Sequence, residues 1–548
     1  MGILSIIWGG LVDDIIYKRW EAKKRQSIWI RFWSGLAMLS FILCLICFFT
    51  PLTPLVKAIV WLALLSPIFL KQNLWSALFS EVTSKFKSMG IFSLLLVILG
   101  SGIALLKASG KPEIFDEGAY HLPLIRMWEN EGMVLGMANL NGHYGLNSTW
   151  HILSAFSNLS FLPLWKTEMA LNGLVAVVLS FYAASRLNAI WQGSKLISHW
   201  IVVLLPFFVF RNLLSSPSTD IPAIVCTWFV FTIWLETIEK EQSPWEVWPI
   251  FTLLPFWIVI LKASSAALLF IPAGILFLAI VENDRKKITA ILSLGAAMMF
   301  PWIIQNWLLT GYAVFPIRKT ALGHPIWQVP LESIDKKFYL AQFGNFAPPD
   351  SYTLSWFIHW LQAHNVDSRV IIILSFSTIL AWFVLFIFRA EQRVFLKVFL
   401  FSSVMACVLS WFITITEPRY GFGALVFSAL FFQALFLSRL QSRFPIIRNI
   451  ALLILVLQTY NLFKTYLEFS PGSNIALFPS QAPKVKFKTL HCGNFEAITP
   501  VSYLSVVPSG KPVFCWDCPF PCIPKEGSID STHIFKLNDG LYSGYYYR

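Results

Sequence analysis

Charge is what this chain of 548 residues has least of: Asp, Glu, Lys and Arg together make up 13%, against 56% hydrophobic residues. An average soluble domain carries roughly 25% charged residues. The shortage leaves too few polar groups to cover a water-facing surface of this size, which excludes a soluble enzyme, a disordered chain and a fibrous repeat. No repeat of fixed period and no low-complexity linker is visible. A basic leader is missing as well. Met1 to Tyr17 is apolar but carries Asp13 and Asp14, so it reads as an interfacial helix rather than a cleaved signal. Cysteine is sparse: Cys44, Cys47, Cys226 and Cys407 lie in apolar runs, where a thiol behaves as a small hydrophobe. Only Cys492, Cys515, Cys518 and Cys522 cluster, in polar sequence near the C-terminus.

What is abundant is long apolar runs. A span needs about 20 mostly apolar residues. Runs of that kind predict about thirteen transmembrane helices, at 28–50, 53–70, 91–108, 170–188, 198–214, 221–236, 248–262, 265–281, 288–309, 369–388, 395–415, 421–437 and 447–465. The expected class is an all-α polytopic membrane protein, with an N-terminal interfacial segment 1–27, a transmembrane domain 28–465 and a small C-terminal domain 466–548. The formal charge of +13 would suggest nucleic acid in a soluble protein. Here Lys18, Arg19, Lys85, Lys87, Arg186, Lys195, Lys240, Arg285, Lys286, Lys287, Arg439, Arg443 and Arg448 fall on one side of the threading. The positive-inside rule makes that side cytoplasmic, so the surplus reports topology and no nucleic-acid partner is expected. Large loops at 109–169 and 310–368 and the tail fall on the extracytoplasmic face. There the four clustered cysteines are disulfide candidates, zinc through Cys515, Cys518 and Cys522 being the alternative.

Polar residues of interest converge on that outer face. Asp116 and Glu117 lie just past a span, where desolvation and a like-charged neighbour raise a carboxylate toward general-base use. The plainer reading is that they cap an amphipathic helix at 122–131 lying on the membrane surface. Asn139, Asn141, His143 and Asn147 suit sugar hydroxyls or an ordinary polar turn, and Asn147-Ser148-Thr149 matches a glycosylation sequon. Asp220 stands at an outer junction, and Lys262 sits among apolar residues, where an ammonium is costly unless paired or snorkelling. Asn306 precedes Thr310-Gly311-Tyr312, and Arg419 follows Glu417, its simplest ion-pair partner. Two carboxylates with Lys and Arg at interfacial depth suit a phosphate-bearing lipid whose leaving group needs cationic stabilisation.

Asp116-x-x-x-Tyr120-His121-Leu122-Pro123, Asn306-x-x-x-Thr310-Gly311-x-x-x-Phe315-Pro316 and Pro418-Arg419-Tyr420 together resemble motifs of the GT-C superfamily of integral-membrane glycosyltransferases. The branch is that of protein O-mannosyltransferases and aminoarabinose transferases. The resemblance is nearest to bacterial multi-spanning members with a Ser-Pro-x-x-Asp element and a Cys-Trp-Asp-x-Pro-x-Pro-Cys tail, which stands here at 515–522. It implies inverting sugar transfer from a polyprenyl-phosphate-linked donor to a glycan, lipid or protein acceptor, outside the cytoplasmic (inner) membrane. By the same resemblance, Asp116 is the base and Glu117 the second acid of an Asp-Glu pair. Lys262 and Arg419, with Tyr120 and His121, hold the donor phosphate. Asp220, His143, Asn147, Asn306 and Tyr312 orient the acceptor or lend support. Some branches use a divalent metal and others do not; no other cofactor is implied. The alternatives are a transporter or flippase, or a polymerase or ligase, of lipid-linked surface glycans.

Overall fold

The computed structural model describes residues 1–19, 26–70, 72–110, 116–158, 171–209, 214–330, 332, 334, 353–388, 394–469, 485–492, 494–503, 515, 521–523, 534–539 and 542–547. Its helices are α1 (Gly2–Arg19), α2 (Ile28–Ile46), α3 (Pro54–Leu70), α4 (Gln72–Ser88), α5 (Ile91–Ala108), α6 (Leu122–Asn130), α7 (Thr149–Ser157), α8 (Asn172–Trp191), α9 (Ile197–Leu204) and α10 (Pro206–Val209). They continue with α11 (Asp220–Glu239), α12 (Trp248–Leu261), α13 (Phe270–Val281), α14 (Arg285–Thr310), α15 (Leu354–Ala363), α16 (Val366–Phe388), α17 (Val394–Thr414), α18 (Pro418–Arg443) and α19 (Arg448–Phe469). Helix therefore lies over each of the apolar runs read from the sequence. Seven helical segments among the described residues are long and apolar enough to cross a membrane, or eight if a bent pair, Leu78–Ser88 with Ser93–Ala108, counts as one. Apolar side chains on the outside of the bundle, among them Leu62, Ile91, Phe277, Phe300, Leu380 and Ile413, are what a lipid-facing surface requires.

The N-terminal helix α1 packs one face against α2 while Ile3 and Ile15 stay exposed. A β-carbon on Gly9 or Gly35 would stand 1.7 Å from a backbone oxygen of the facing helix, so α1 and α2 cross with their backbones nearly touching. Buried Arg31 closes that crossing on Asp13 at 3.1 Å and on Glu81 at 2.6 Å. Helix α6 departs from expectation. It has the apolar positions foreseen, but Leu122, Leu124, Ile125, Met127, Trp128 and even Glu129 are buried in protein rather than laid on a membrane surface. Glu129 is neutralised by Lys57 from α3 and by Arg126, while Asn158 donates to it at 2.9 Å.

Beyond Phe469 the described tail residues include four strands, which corrects the all-α expectation. Strands β1 (Val485–His491) and β2 (Glu496–Tyr503) pair antiparallel, as do β3 (Ile534–Asp539) and β4 (Tyr542–Tyr547). Cys515 and Cys522 form a disulfide, whose segment bonds to β2 through Ile523 N to Ile498 O at 2.9 Å. Cys492 is a buried free thiol, and Cys518 lies outside the described residues.

These strands dock on the segment between α6 and α7. Tyr545 N donates to Leu135 O at 2.8 Å, Asn139 Nδ2 donates to both Tyr545 O and Trp327 O, and Tyr144 Oη donates to Cys522 O at 3.2 Å. Gly136 makes the contact feasible: it has φ +58°, and a β-carbon there would stand 2.1 Å from Tyr545 O. Gly136→Ala should therefore loosen the tail and leave the bundle intact. Limited proteolysis is expected to release the tail at least about tenfold faster with an unchanged helical circular dichroism signal. Equal cleavage rates would refute the docking role of this glycine.

Candidate functional site

Four chain breaks meet at one end of the bundle, and each delivers a charged side chain. The first is a single π turn, Glu117–His121, opening α6 with Asp116 at its cap position. Such turns widen the helix and re-aim side chains. Asp116 makes no capping hydrogen bond; its carboxylate faces Arg419 Nη1 at 3.2 Å. The capping reading thus fails for Asp116, and Arg419 pairs across 303 residues with Asp116 rather than with neighbouring Glu417. The two adjacent acids part company. Asp116 is 22% exposed, whereas Glu117 is fully buried, so Glu117 is not placed to meet a solvent-borne acceptor beside it.

The second break precedes α11. Ser216 and Ser218 accept the backbone N–H groups of Ser218 and Asp220, and Asn172 Nδ2 from α8 donates to Ser216 O at 2.6 Å and Ser218 O at 3.0 Å. This clamp places Asp220 at the first turn of α11, where a carboxylate is favoured by the helix dipole. The third break ends α12 at Lys262, whose backbone turns extended (φ −152°, ψ 104°) before the 3-10 turn Ala263–Leu269. Ser148 Oγ donates to Leu261 O at 2.6 Å and satisfies a carbonyl that the broken helix would otherwise orphan. The Lys262 ammonium leaves this break sideways, forms a buried ion pair with Asp220, and lies 3.8 Å from the centre of the Tyr420 ring. The fourth break starts α18 with Pro418, a residue suited to the first helical position. It presents Arg419 and Tyr420, joined by Arg419 Nη2 to Tyr420 Oη at 3.2 Å.

Two acid–cation pairs therefore flank one aromatic ring. Tyr120 and His121 lie beside them, and burial governs both. It lifts the Tyr120 phenol well above its usual range, with Asp116 and Tyr420 adding. Burial, with the Arg419 and Lys262 charges adding, also pulls His121 down to about 3 against the pull of Asp220. Burial likewise lowers His151, so the contact of His121 Nδ1 with His151 Nε2 at 2.7 Å joins two neutral rings. His143 stacks on Tyr120 with ring centres 5.3 Å apart, held by Nδ1 donating to Asn141 Oδ1 at 3.2 Å. Beside Lys262, Arg419 and Tyr420 a narrow groove of about 30 Å³ is lined by Ala223, Thr227, Leu268, Trp411 and Ala424.

The structure thus brings Asp116, Tyr120, His121, His143, Asp220, Lys262 and Arg419 together. Three other predicted residues serve the scaffold. Asn147 is buried and donates to Gln305 Oε1 at 3.3 Å, and with Thr149 also buried the sequon is inaccessible. Asn306 Nδ2 donates to Ala313 O at 3.2 Å, and buried Tyr312 donates to Val329 O at 3.1 Å, so both knit the segment that follows α14 rather than line the cluster. Tyr420, His151 and Asn172 were not foreseen as site residues. Only Tyr420 carried a signal, its place beside Arg419. Among the described residues no three His, Cys, Asp or Glu side chains converge as a metal site.

Residues 1–426 match a family model described as Domain of unknown function (DUF8201). No curated protein and no solved structure matches the chain.

Proposed function

The chain belongs to the DUF8201 family, and we propose that it is an integral-membrane glycosyltransferase of GT-C type. In this reading the helices make about thirteen crossings of the inner membrane, the basic loops face the cytoplasm, and the site opens outward. The observation that supports it is the pairing of Asp116 with Arg419 and of Asp220 with Lys262 about Tyr420, at the mouth of a groove with apolar walls. Such a mouth suits a phosphate carried on a polyprenyl chain: the cations take the phosphate and the groove takes the first isoprene units.

The chemistry follows from the charges. An acceptor hydroxyl oxygen attacks the anomeric carbon of the donor sugar from the face opposite the phosphate, which inverts that centre. The bond from the anomeric carbon to the phosphate oxygen breaks, and its electron pair stays on the phosphate. Asp116, the part-exposed acid, takes the hydroxyl proton. Because the phosphate gains one negative charge as the sugar leaves, Lys262 and Arg419 bind the product phosphate more strongly than the donor. Asp220 holds Lys262 in place. Buried Tyr120 and neutral His121 form a dry wall behind the reacting carbon, which strengthens those charge interactions.

The test is transfer itself. Liposomes holding the purified full chain are given radiolabelled polyprenyl-phosphate sugars and outer-face glycans, lipids and peptides in turn. Label should move from the lipid fraction to one acceptor class with inverted anomeric configuration. If label stays on the polyprenyl lipid with every combination, or moves across the bilayer without bond cleavage, the proposal fails.

A further inference from the structure

The two ion pairs are unequal, and their inequality has a consequence for how the site is switched on. Asp220 and Lys262 are 7% and 11% exposed, whereas Asp116 and Arg419 are 22% and 37% exposed. Separating a buried pair leaves an uncompensated charge in a dry setting, which is strongly unfavourable. Separating a part-exposed pair costs little, because water or another anion replaces the lost partner. Lys262 also retains binding capacity while paired. Its ammonium has three N–H groups, of which Asp220 and the Tyr420 ring occupy two directions. Arg419 turns one Nη1 N–H to Asp116 and one Nη2 N–H to the Tyr420 hydroxyl, and its carboxylate partner is the part-exposed, replaceable one.

We propose that Asp116 occupies, in the empty site, the place on Arg419 that the donor phosphate takes, so that donor binding releases the base. The exchange is purely ionic: the phosphate displaces the Asp116 carboxylate from Arg419, while the Asp220–Lys262 pair stays closed as a fixed post. Until then Asp116 is held against the guanidinium. Once displaced, it is free to turn toward the acceptor hydroxyl. The site is therefore self-gated, with the donor bound before the acceptor is deprotonated. This rests on the transferase reading above.

Farnesyl phosphate, which carries the phosphate and isoprene units but no sugar, separates the two ideas when titrated against the full chain in nanodiscs. Wild type should bind it, and Arg419→Gln should bind it more weakly. Asp116→Asn should bind it about fivefold more tightly, the scale set by a part-exposed pair. In Asp116→Asn/Arg419→Gln that gain should vanish, since no cation remains to be freed. A gain that persists in the double variant would mean plain charge repulsion by Asp116, and the exchange would be wrong. Absence of a gain in Asp116→Asn would also overturn it, while the phosphate site itself stood. If neither wild type nor any variant binds the probe, the phosphate site and the exchange fall together.

Discussion

Asp116→Asn is expected to lower sugar transfer by about 10²–10⁴-fold, the range that a positioned general base supplies. The replacement keeps the shape of the side chain and removes its capacity to take a proton. Its pairing with Arg419 is part-exposed, so loss of the ion pair should cost at most about 1 kcal/mol of stability. Insertion, thermal midpoint and helical content should therefore stay close to wild type while turnover collapses. Glu117→Gln gives the contrast: Glu117 is fully buried, so its effect should appear in stability rather than in the proton step. If transfer in liposomes survives Asp116→Asn within about tenfold, the acid has been assigned wrongly.

Lys262→Met should do the opposite kind of damage. Methionine fills much of the lysine volume but leaves Asp220 buried at 7% exposure without the ammonium. Breaking a buried ion pair from one side costs about 3–5 kcal/mol, and the lost contact with the Tyr420 ring adds about 1 kcal/mol more. A clear drop in thermal midpoint is expected alongside loss of transfer. Adding Asp220→Leu removes the stranded carboxylate, so Lys262→Met/Asp220→Leu should recover most of the stability and none of the activity. This separates the structural from the chemical role of the pair. Recovery of transfer together with stability would show that Lys262 only props the break between α12 and the following 3-10 turn. A double variant as unstable as the single one would show that Asp220 is not what Lys262 compensates.

The two variants probe the part of the site that was legible in the chain. Asp116, Asp220, Lys262 and Arg419 stood out because charge is rare here, and rare charge next to apolar runs requires a partner. Which partner was not legible. Arg419 has Glu417 two residues away, yet it pairs with Asp116. Asn147 looked suited to sugar hydroxyls, and Asn306 and Tyr312 were expected near the acceptor from the motif they share, because hydrogen-bonding capacity is visible in a residue type, whereas its use is not. All three spend that capacity on the protein itself. His151 and Asn172 gave no signal, since a lone His or Asn in an apolar stretch has many ordinary explanations.

The sequence by itself determined that this is a helical protein of apolar surface, and where the long apolar helices lie, because the transfer cost of charge and backbone into lipid dictates composition run by run. Only the tertiary structure decided that α1 packs closely on α2 and that α6 is buried, that the described tail residues form β-hairpins docked through Gly136, and that two ion pairs close around Tyr420. The reason is physical. Hydropathy is a local property that a window of sequence can sum, while partner choice among buried charges depends on which helix ends meet in space.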